Sequence, residues 1–299
     1  MIWLGIRCNL CPRRCNADRA VSLGFCGCGN EIKAARAALH FWEEPCISGS
    51  RGSGAVFFCG CNLKCVFCQN GSISRGNGGK AISAGKLGEI FLRLQSLGAH
   101  NINLVTPTHY VGQIKDALCS IPSPLTVPLV YNCGGYEAPE GLAVLKDDVS
   151  VYLTDIKYAD SALSQKYSGA SDYFTVAMNA LKTMLSYVGT PEYNNEGIMQ
   201  RGIIVRHLVL PGCRHDSINI LRRLKSEFGT DSFRLSLMSQ YTPSGSLKNF
   251  PEINRRITSF EYNSVTETAL DLGFCDAYVQ QRSSAKSEYT PPFDLTGII

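Results

Sequence analysis

The sequence has no long apolar run, no cluster of like charges and no internal repeat. Its apolar opening stretch, residues 1–6, ends at Arg7 and Cys8, well short of the apolar region of a signal peptide or a membrane span. Lys and Arg total 29 against 25 for Asp and Glu, and this small excess is spread along the chain. We therefore expect a cytoplasmic protein that binds neither a membrane nor nucleic acid.

Cysteine, by contrast, is abundant and unevenly distributed. Ten of the 14 cysteines lie within the first 68 residues. A chain of 299 residues with 44% hydrophobic residues can bury a full core and needs no disulfide framework, which a reducing compartment would not form in any case. Metal ligation is therefore the leading explanation for the early cysteines. The four later ones are expected to be small buried side chains.

From residue 54 onward, short apolar runs alternate with longer segments of helical period, which is the pattern of repeated βα units. The predicted strands are 55–58, 101–105, 128–131, 150–155, 202–209 and 233–238, with a weaker seventh at 277–279. These units are too few for a closed eight-unit barrel. We therefore predict an α/β fold, an incomplete (β/α)6 TIM-like barrel with a small Cys-rich N-terminal metal-binding appendage. A doubly wound open sheet is the alternative.

The same pattern divides the chain into an appendage (1–52), a partial barrel (53–280) and a C-terminal tail (281–299). Helices are predicted between the strands, among them 86–97, 173–187 and 254–272. The segment 189–201 contains Pro191, Asn194 and Gly197, which predicts a loop and a candidate lid.

The first predicted strand leads directly into the motif Cys61-x3-Cys65-x2-Cys68. We call these three residues the barrel cysteines. A closed electron-transfer cluster has four cysteine ligands, so three thiolates would leave one iron of a [4Fe-4S] cluster open to a substrate or cosubstrate. Cys59 precedes the motif, and a closed four-thiolate zinc or iron-sulfur site that includes it is the alternative.

This motif and those that follow it resemble the radical S-adenosylmethionine superfamily, in particular the branch of pyruvate formate-lyase activating enzyme-like iron-sulfur proteins. The resemblance covers nearly the whole chain. It rests on Phe57-Phe-Cys-Gly-Cys-Asn-Leu-Lys-Cys-Val-Phe-Cys-Gln-Asn70, Asn103-Leu-Val-Thr-Pro-Thr-His-Tyr110, Tyr131-Asn-Cys-Gly-Gly-Tyr136, Asp155-Ile-Lys157 and Arg206-His-Leu-Val-Leu-Pro-Gly212.

The resemblance implies a chemistry. S-adenosylmethionine would bind the open iron through its amino and carboxylate groups, and one electron would cleave it to methionine and a 5′-deoxyadenosyl radical that abstracts hydrogen. The required partners would be an electron donor and a hydrogen donor, with a protein that carries a backbone glycine as one candidate for the latter.

The resemblance also implies a cofactor site at the ends of successive strands, where a barrel collects its active-site residues. The residues that would contact S-adenosylmethionine are Phe67, Thr106, Asn132, Asp155, Lys157 and Arg206. Two simpler interpretations stay open: Asp155 and Lys157 pair with each other, and Arg206 is a structural clamp. Tyr241 replaces a His of the activating enzymes, and it cannot ligate a metal or transfer protons as His does. Among the five histidines, His109 has the best functional claim.

A second cysteine group precedes the barrel, at Cys8, Cys11, Cys15 and Cys26, which we call the N-terminal cysteines. The segment around them has few apolar residues, so we expect a metal to hold it together. The spacing suits zinc as well as a second iron-sulfur cluster. Cys28, Cys46 and Cys59 are interpreted as non-ligands.

Three functions therefore remain open at the level of the sequence. The first is a radical enzyme that activates a protein of the glycyl-radical type. The second is a non-catalytic iron-sulfur or zinc protein of electron transfer, and the third is radical chemistry on a small molecule.

Overall fold

The computed structural model describes residues 7–243, 247–280 and 290–299. The predicted apolar opening stretch and part of the predicted tail lie outside these residues. The strands are β1 (Ile32–His40), β2 (Ser53–Phe58), β3 (Lys80–Ile82), β4 (Ile102–Val105), β5 (Leu129–Cys133), β6 (Val151–Asp155), β7 (Glu192–Tyr193), β8 (Met199–Leu208), β9 (Arg234–Met238) and β10 (Tyr278–Val279).

Seven of these strands form a parallel sheet in chain order, β2-β4-β5-β6-β8-β9-β10. They coincide with the six predicted strands and the weaker seventh, and the open parallel sheet confirms the predicted partial barrel. Because all seven run in one direction, their carboxyl ends meet at a single edge. The segments that follow β2, β4, β5 and β6 therefore lie side by side.

The helices are α1 (Pro45–Ser48), α2 (Gly71–Ser74), α3 (Ala84–Ser96), α4 (Val111–Ser120), α5 (Pro139–Ala143), α6 (Ser161–Ser168), α7 (Tyr173–Val188), α8 (Arg214–Phe228) and α9 (Ser259–Asp271). Helix α1 joins the antiparallel strands β1 and β2, and the others lie between consecutive parallel strands. Helix α9 begins at Ser259 and not at the predicted residue 254. Thr258 and Glu261 form a reciprocal capping box, which fixes the N-terminus of the helix at this point. No helix in this part of the chain is long and apolar enough to cross a membrane.

Two segments differ from the sequence-based expectation. β1 lies within the predicted appendage, yet it pairs antiparallel with β2 and carries β3 on its other side. The predicted loop 189–201 contains β7, which pairs with the start of β8 as a hairpin. Asn194 accepts hydrogen bonds from the backbone N–H groups of Glu196 and Ile198 and so closes the hairpin turn.

Successive side chains of each strand point to opposite faces of the sheet and so belong to two separate hydrophobic cores. Tyr131, Tyr152 and Val205 point into the layer between sheet and helices. Their neighbours Val130, Val151, Leu153 and Ile204 point to the opposite, inner face, where they pack against Cys46 and Ile47 of α1. The inner face is thus closed by α1 near the start of the strands, and its remaining positions toward the carboxyl edge are polar.

Candidate active site

The polar positions at the carboxyl edge surround a cavity of about 220 Å³. The three barrel cysteines line it. All six residues predicted to contact the cofactor line it as well: Phe67, Thr106, Asn132, Asp155, Lys157 and Arg206. The structure therefore brings together residues that are 145 positions apart at the extremes, from Cys61 to Arg206.

The barrel cysteines are held by the loop after β2. Its backbone N–H groups at Lys64 and Val66 donate to carbonyls at the end of α6, Ser168 and Tyr167. The Sγ of Cys65 accepts a hydrogen bond of 2.9 Å from the Ser168 hydroxyl, and the Sγ of Cys61 accepts one of 3.4 Å from the backbone N–H of Leu63. Residues of α6 thus orient this loop.

Two of the barrel cysteines, Cys61 and Cys65, would ionise only beside a positively charged group. Burial raises the pKa of Cys61 and of Cys65, and the neighbouring thiols oppose ionisation further. Within the described residues, no group of three or more His, Cys, Asp and Glu side chains is arranged to hold a single metal ion. A cubane is larger than one ion, and thiols that share a cavity and repel one another as thiolates fit such a group.

Cys59 is not part of this arrangement. Its Sγ lies 3.5 Å from the carbonyl oxygen of Gly78, and its side chain packs with Ala35 and Ile73 on the side of β1. Cys59 does not line the cavity. A closed four-thiolate site would require this side chain to move.

A buried charge network forms the floor of the cavity. The Nε of Arg206 donates to Asp155 (2.8 Å), its Nη2 donates to the Asn132 side-chain oxygen (2.7 Å), and its Nη1 donates to Glu43 (3.2 Å). Lys157 binds the other Asp155 oxygen at 2.5 Å. Burial alone would raise the pKa of Asp155, but Arg206 and Lys157 outweigh it and hold this pKa below its usual range. Arg206 clamps three partners and lines the cavity at the same time.

Glu43 is a site residue that the sequence analysis missed. It lies between β1 and α1, inside the segment predicted as an appendage, and its carboxylate also accepts hydrogen bonds from Asn103 (3.0 Å) and Asn132 (3.2 Å). Burial raises its pKa. No local spacing marks this glutamate, because its partners belong to strands that are 60 to 163 residues away.

The other predicted residues have distinct surroundings. Thr106 has a φ of 61°, which is rare for a β-branched residue, and its N–H donates to the Asn132 carbonyl. Phe67 packs edge-on against Tyr241, whose hydroxyl donates to the Ile253 carbonyl, so Tyr241 supports Phe67 from behind. Backbone strain at Thr106 is typical of functional turns.

The position of His109 does not support a role for this residue in the active site. The residue is buried outside the cavity, and its Nε2 lies 2.7 Å from the Cys59 carbonyl oxygen. Burial lowers its pKa, so it is neutral at physiological pH. Its place after the Thr-Pro-Thr turn predicts a residue at the barrel mouth, but its imidazole lies instead beside Cys59 and Gly60, at the start of the loop after β2.

The N-terminal cysteines form a second group beside the first. A methyl group on Gly24 would lie 3.5 Å from the Sγ of Cys15 and 3.4 Å from that of Cys26, so these two thiols face one point. Burial raises the pKa of Cys8, and it raises that of Cys11 to about 12. No three of the N-terminal cysteines are arranged to hold one metal ion in the described residues, so a metal on them stays a prediction.

Arginine side chains attach this N-terminal segment to the barrel. Arg13 donates to the carbonyls of Asn62 (2.8 Å) and Gly169 (2.6 Å), and its guanidinium lies over the rings of Phe25 and Tyr136. The backbone N–H of Cys61 also donates to the Cys26 carbonyl. The two cysteine groups are therefore neighbours in space.

Comparison with known proteins gives a family and a fold. No established family profile matches the chain. The uncharacterized protein MJ0674 of Methanocaldococcus jannaschii is 30% identical over 275 residues, which cover 88% of this chain and 74% of that protein. Among solved structures, the FeFe-hydrogenase maturase HydG of Carboxydothermus hydrogenoformans matches 77% of this chain at 14% identity, with a TM-score of 0.51. Streptococcus suis SuiB bound to the precursor peptide SuiA matches 74% at 13% identity, with a TM-score of 0.50.

This chain spans about half the length of those two enzymes, 53% of HydG and 46% of SuiB. At such identities the likeness concerns the fold, which is the partial barrel described above. The chain therefore belongs to the family of the uncharacterized protein MJ0674, and its barrel has the fold of the radical S-adenosylmethionine enzymes.

Proposed function

We propose that this protein is a radical S-adenosylmethionine enzyme that holds a [4Fe-4S] cluster on the barrel cysteines. The observation that carries the proposal is the single cavity at the carboxyl edge, which the three thiols share with all six predicted cofactor contacts. The fold shared with HydG and SuiB supports it independently of the motif.

When bound, the cluster would supply the electron that cleaves S-adenosylmethionine to methionine and a 5′-deoxyadenosyl radical. The chain itself supplies charge and shape. Asp155 is held ionised by its two cationic partners, so an anionic group faces the cavity where the ligand's ammonium and sulfonium charges have to be placed. Asn132 and Lys157 offer hydrogen-bond donors for its carboxylate, and Phe67 offers an apolar ring for adenine.

The burial of this network serves the same chemistry. Asp155, Lys157 and Arg206 expose between 14% and 19% of their side chains, so they are already paired and oriented before a ligand arrives. Preorganised charges in a site that excludes water act more strongly than charges that must first shed their hydration. A dry cavity also removes stray hydrogen donors from a reactive radical.

We propose in addition that the radical abstracts hydrogen from a protein backbone glycine, as the sequence resemblance implies, with an external electron donor and the cytoplasm as the compartment. A structural zinc or a second cluster on the N-terminal cysteines completes this proposal. Radical chemistry on a small molecule is the second candidate, and the side pocket described in the next subsection, of about 270 Å³, has room for such a ligand.

The test is anaerobic reconstitution followed by chemical reduction. The wild type should hold the iron and sulfide of one cubane on the barrel cysteines and release methionine and 5′-deoxyadenosine, measured by chromatography and mass spectrometry. Replacement of all three barrel cysteines by Ala should abolish both. The matched control replaces Cys119 and Cys275 by Ala and should keep both. These two cysteines are exposed, so the expectation that they are buried is wrong. A wild type that is fully loaded with iron but releases neither product would be a non-catalytic metal protein.

A further inference from the structure

A second pocket of about 270 Å³ opens on the side of the barrel, between β9, β10 and the segment that joins β1 to α1. It shares five lining residues with the cofactor cavity: Trp42, Glu43, Arg206, Met238 and Gln240. The barrel cysteines do not line it. A ligand in this side pocket would thus lie next to the cavity without competing for the cluster.

Glu44 is the unusual residue of the side pocket. Only 8% of this residue is exposed, and its Oε2 has no hydrogen-bond partner among the described residues. Ser236 contributes a hydrogen bond to the carboxyl group. Burial raises the pKa of Glu44 to about 6, so the group is mostly ionised at neutral pH. A buried anionic oxygen without a partner is uncommon in folded proteins and calls for an explanation.

The charged groups that act on Glu44 are Arg206 and Glu43. Two carboxyl groups therefore share one cation here. Arg206 donates its side-chain hydrogen bonds to Glu43, Asp155 and Asn132, and none of them goes to Glu44. The nearby Arg234 is engaged by the Tyr193 hydroxyl and the Asp276 carbonyl. A bound cation would therefore be the missing partner of Glu44.

The rim of the side pocket is aromatic. Phe41 is 50% exposed and Trp42 47% exposed, and both line the pocket together with Tyr278. A contiguous exposed apolar patch beside a cavity is typical of a ligand-binding groove or an interaction surface. An aromatic face also attracts a cation, and Trp does so most strongly.

We propose that the side pocket binds a cationic nitrogen of the substrate, an ammonium or guanidinium group, with the Glu44 carboxylate as its partner and Trp42 as its aromatic wall. This inference rests on the proposed function, because the adjoining cavity is where the radical would be generated. The volume suits a group the size of an amino-acid side chain, since pockets for larger ligands extend from about 300 to 1,000 Å³. The source of the nitrogen is a free amine or a basic side chain of a peptide.

The experiment compares a cation with neutral and anionic molecules of the same size. Binding of n-butylammonium, n-butanol and butyrate to the anaerobic holoprotein is measured by calorimetry. We expect the ammonium to bind at least tenfold more tightly than the alcohol, and butyrate not to bind. Glu44→Gln should remove the preference for the ammonium. The matched control, Glu89→Gln on the exposed face of α3, should retain it.

Equal affinity for butylammonium and butanol in the wild type, or an unchanged preference in Glu44→Gln, would overturn the proposal. If Glu44→Gln does not fold, Trp42→Leu serves as the second variant and should weaken the ammonium more than the alcohol. An unchanged ratio of the butylammonium and butanol affinities in Trp42→Leu would also contradict the proposal. Free lysine and an N-acetylated lysine amide then distinguish a small amine from a peptide side chain.

The two proposals fail separately. A wild type that binds butylammonium selectively but never releases 5′-deoxyadenosine contradicts the proposed function and leaves the cation pocket in place. A wild type that cleaves S-adenosylmethionine without distinguishing ammonium from alcohol contradicts the cation pocket alone.

Discussion

Replacing Arg206 by Met tests whether the charge network under the cavity holds the barrel together. Met has a similar length but no charge, so the change would leave Asp155 and Glu43 without their shared cation. The Arg206 side chain is 14% exposed, and its two carboxylate partners expose 15% and 11% of theirs. Solvent can therefore compensate only a small part of the loss.

Two independent estimates give the size of the effect. Removal of one partner from a buried ion pair costs about 3 to 5 kcal/mol. Hydrogen bonds to charged groups are worth about 1.5 to 3 kcal/mol each, and Arg206 makes two of these, to Asp155 and Glu43. We therefore expect Arg206→Met to lower the free energy of unfolding by about 3 to 5 kcal/mol at pH 7.

The assay is anaerobic urea unfolding of the reconstituted protein, followed by circular dichroism, at several pH values. The folded-state pKa of Asp155 lies below its usual value of 3.8, so its contribution is present above that pH and is lost as the pH falls through the folded-state pKa. The difference in the free energy of unfolding between wild type and variant should therefore narrow as the pH falls below 3.8. Once Asp155 and Glu43 are protonated and neutral, the loss of the Arg206 charge no longer destabilises the variant.

The control is Lys86→Met, which removes the exposed pair of Lys86 with Glu89 on α3 and should cost less than about 0.5 kcal/mol. A loss below about 1 kcal/mol in Arg206→Met, comparable with an exposed pair, would refute the reasoning that this network is buried and mutually dependent. A difference that does not change with pH would refute the assignment to the carboxylates.

Three further predictions follow from the cysteine groups and from Glu137. Cys59→Ala should keep the full iron content and the release of 5′-deoxyadenosine, because its thiol does not line the cavity; an apoprotein would show that the cluster is closed by this residue. Changing Cys11 and Cys15 to Ser should release the N-terminal metal and lower the melting temperature, while the folded fraction still cleaves the cosubstrate; loss of cleavage with a complete barrel cluster would assign that metal to the active centre. Glu137 is a buried residue whose carboxyl group accepts hydrogen bonds from Thr108 and Tyr131. Burial raises its pKa to about 7, so the stability that the neutral carboxyl group contributes is present below pH 4.5 and is lost as the pH rises to 7. Glu137→Gln should therefore remove about 3 kcal/mol of pH dependence over that range, as measured by urea unfolding at each pH against the wild type; identical curves would contradict it.

Several parts of the site could be predicted from the sequence because their signals are local. The spacing of the barrel cysteines occupies eight residues, and the predicted cofactor contacts other than Phe67 follow short apolar runs that predict strands. Once those strands are parallel, their carboxyl ends meet, so Thr106, Asn132, Asp155 and Arg206 have to share one edge. The geometry of the barrel follows from that periodicity.

Other features had no local signal. β1 reads Ile-Lys-Ala-Ala-Arg-Ala-Ala-Leu-His, and alanine favours helices in isolation. The segment is a strand because β2 and β3 pair with it on both sides, and its Ala34 and Ala35 are fully buried there. Tertiary pairing overrides intrinsic propensity here.

The sequence by itself determined the order of the strands, the cysteine motif and the polar residues that end each strand, since these depend on neighbours within a few positions. Only the tertiary structure decided that Glu43 and Glu44 enter the barrel, that His109 turns away from it and that Cys59 lies outside the cavity. Glu43 meets Arg206 across 163 positions of the chain. Contacts of that range arise from packing, because no periodic pattern connects residues so far apart.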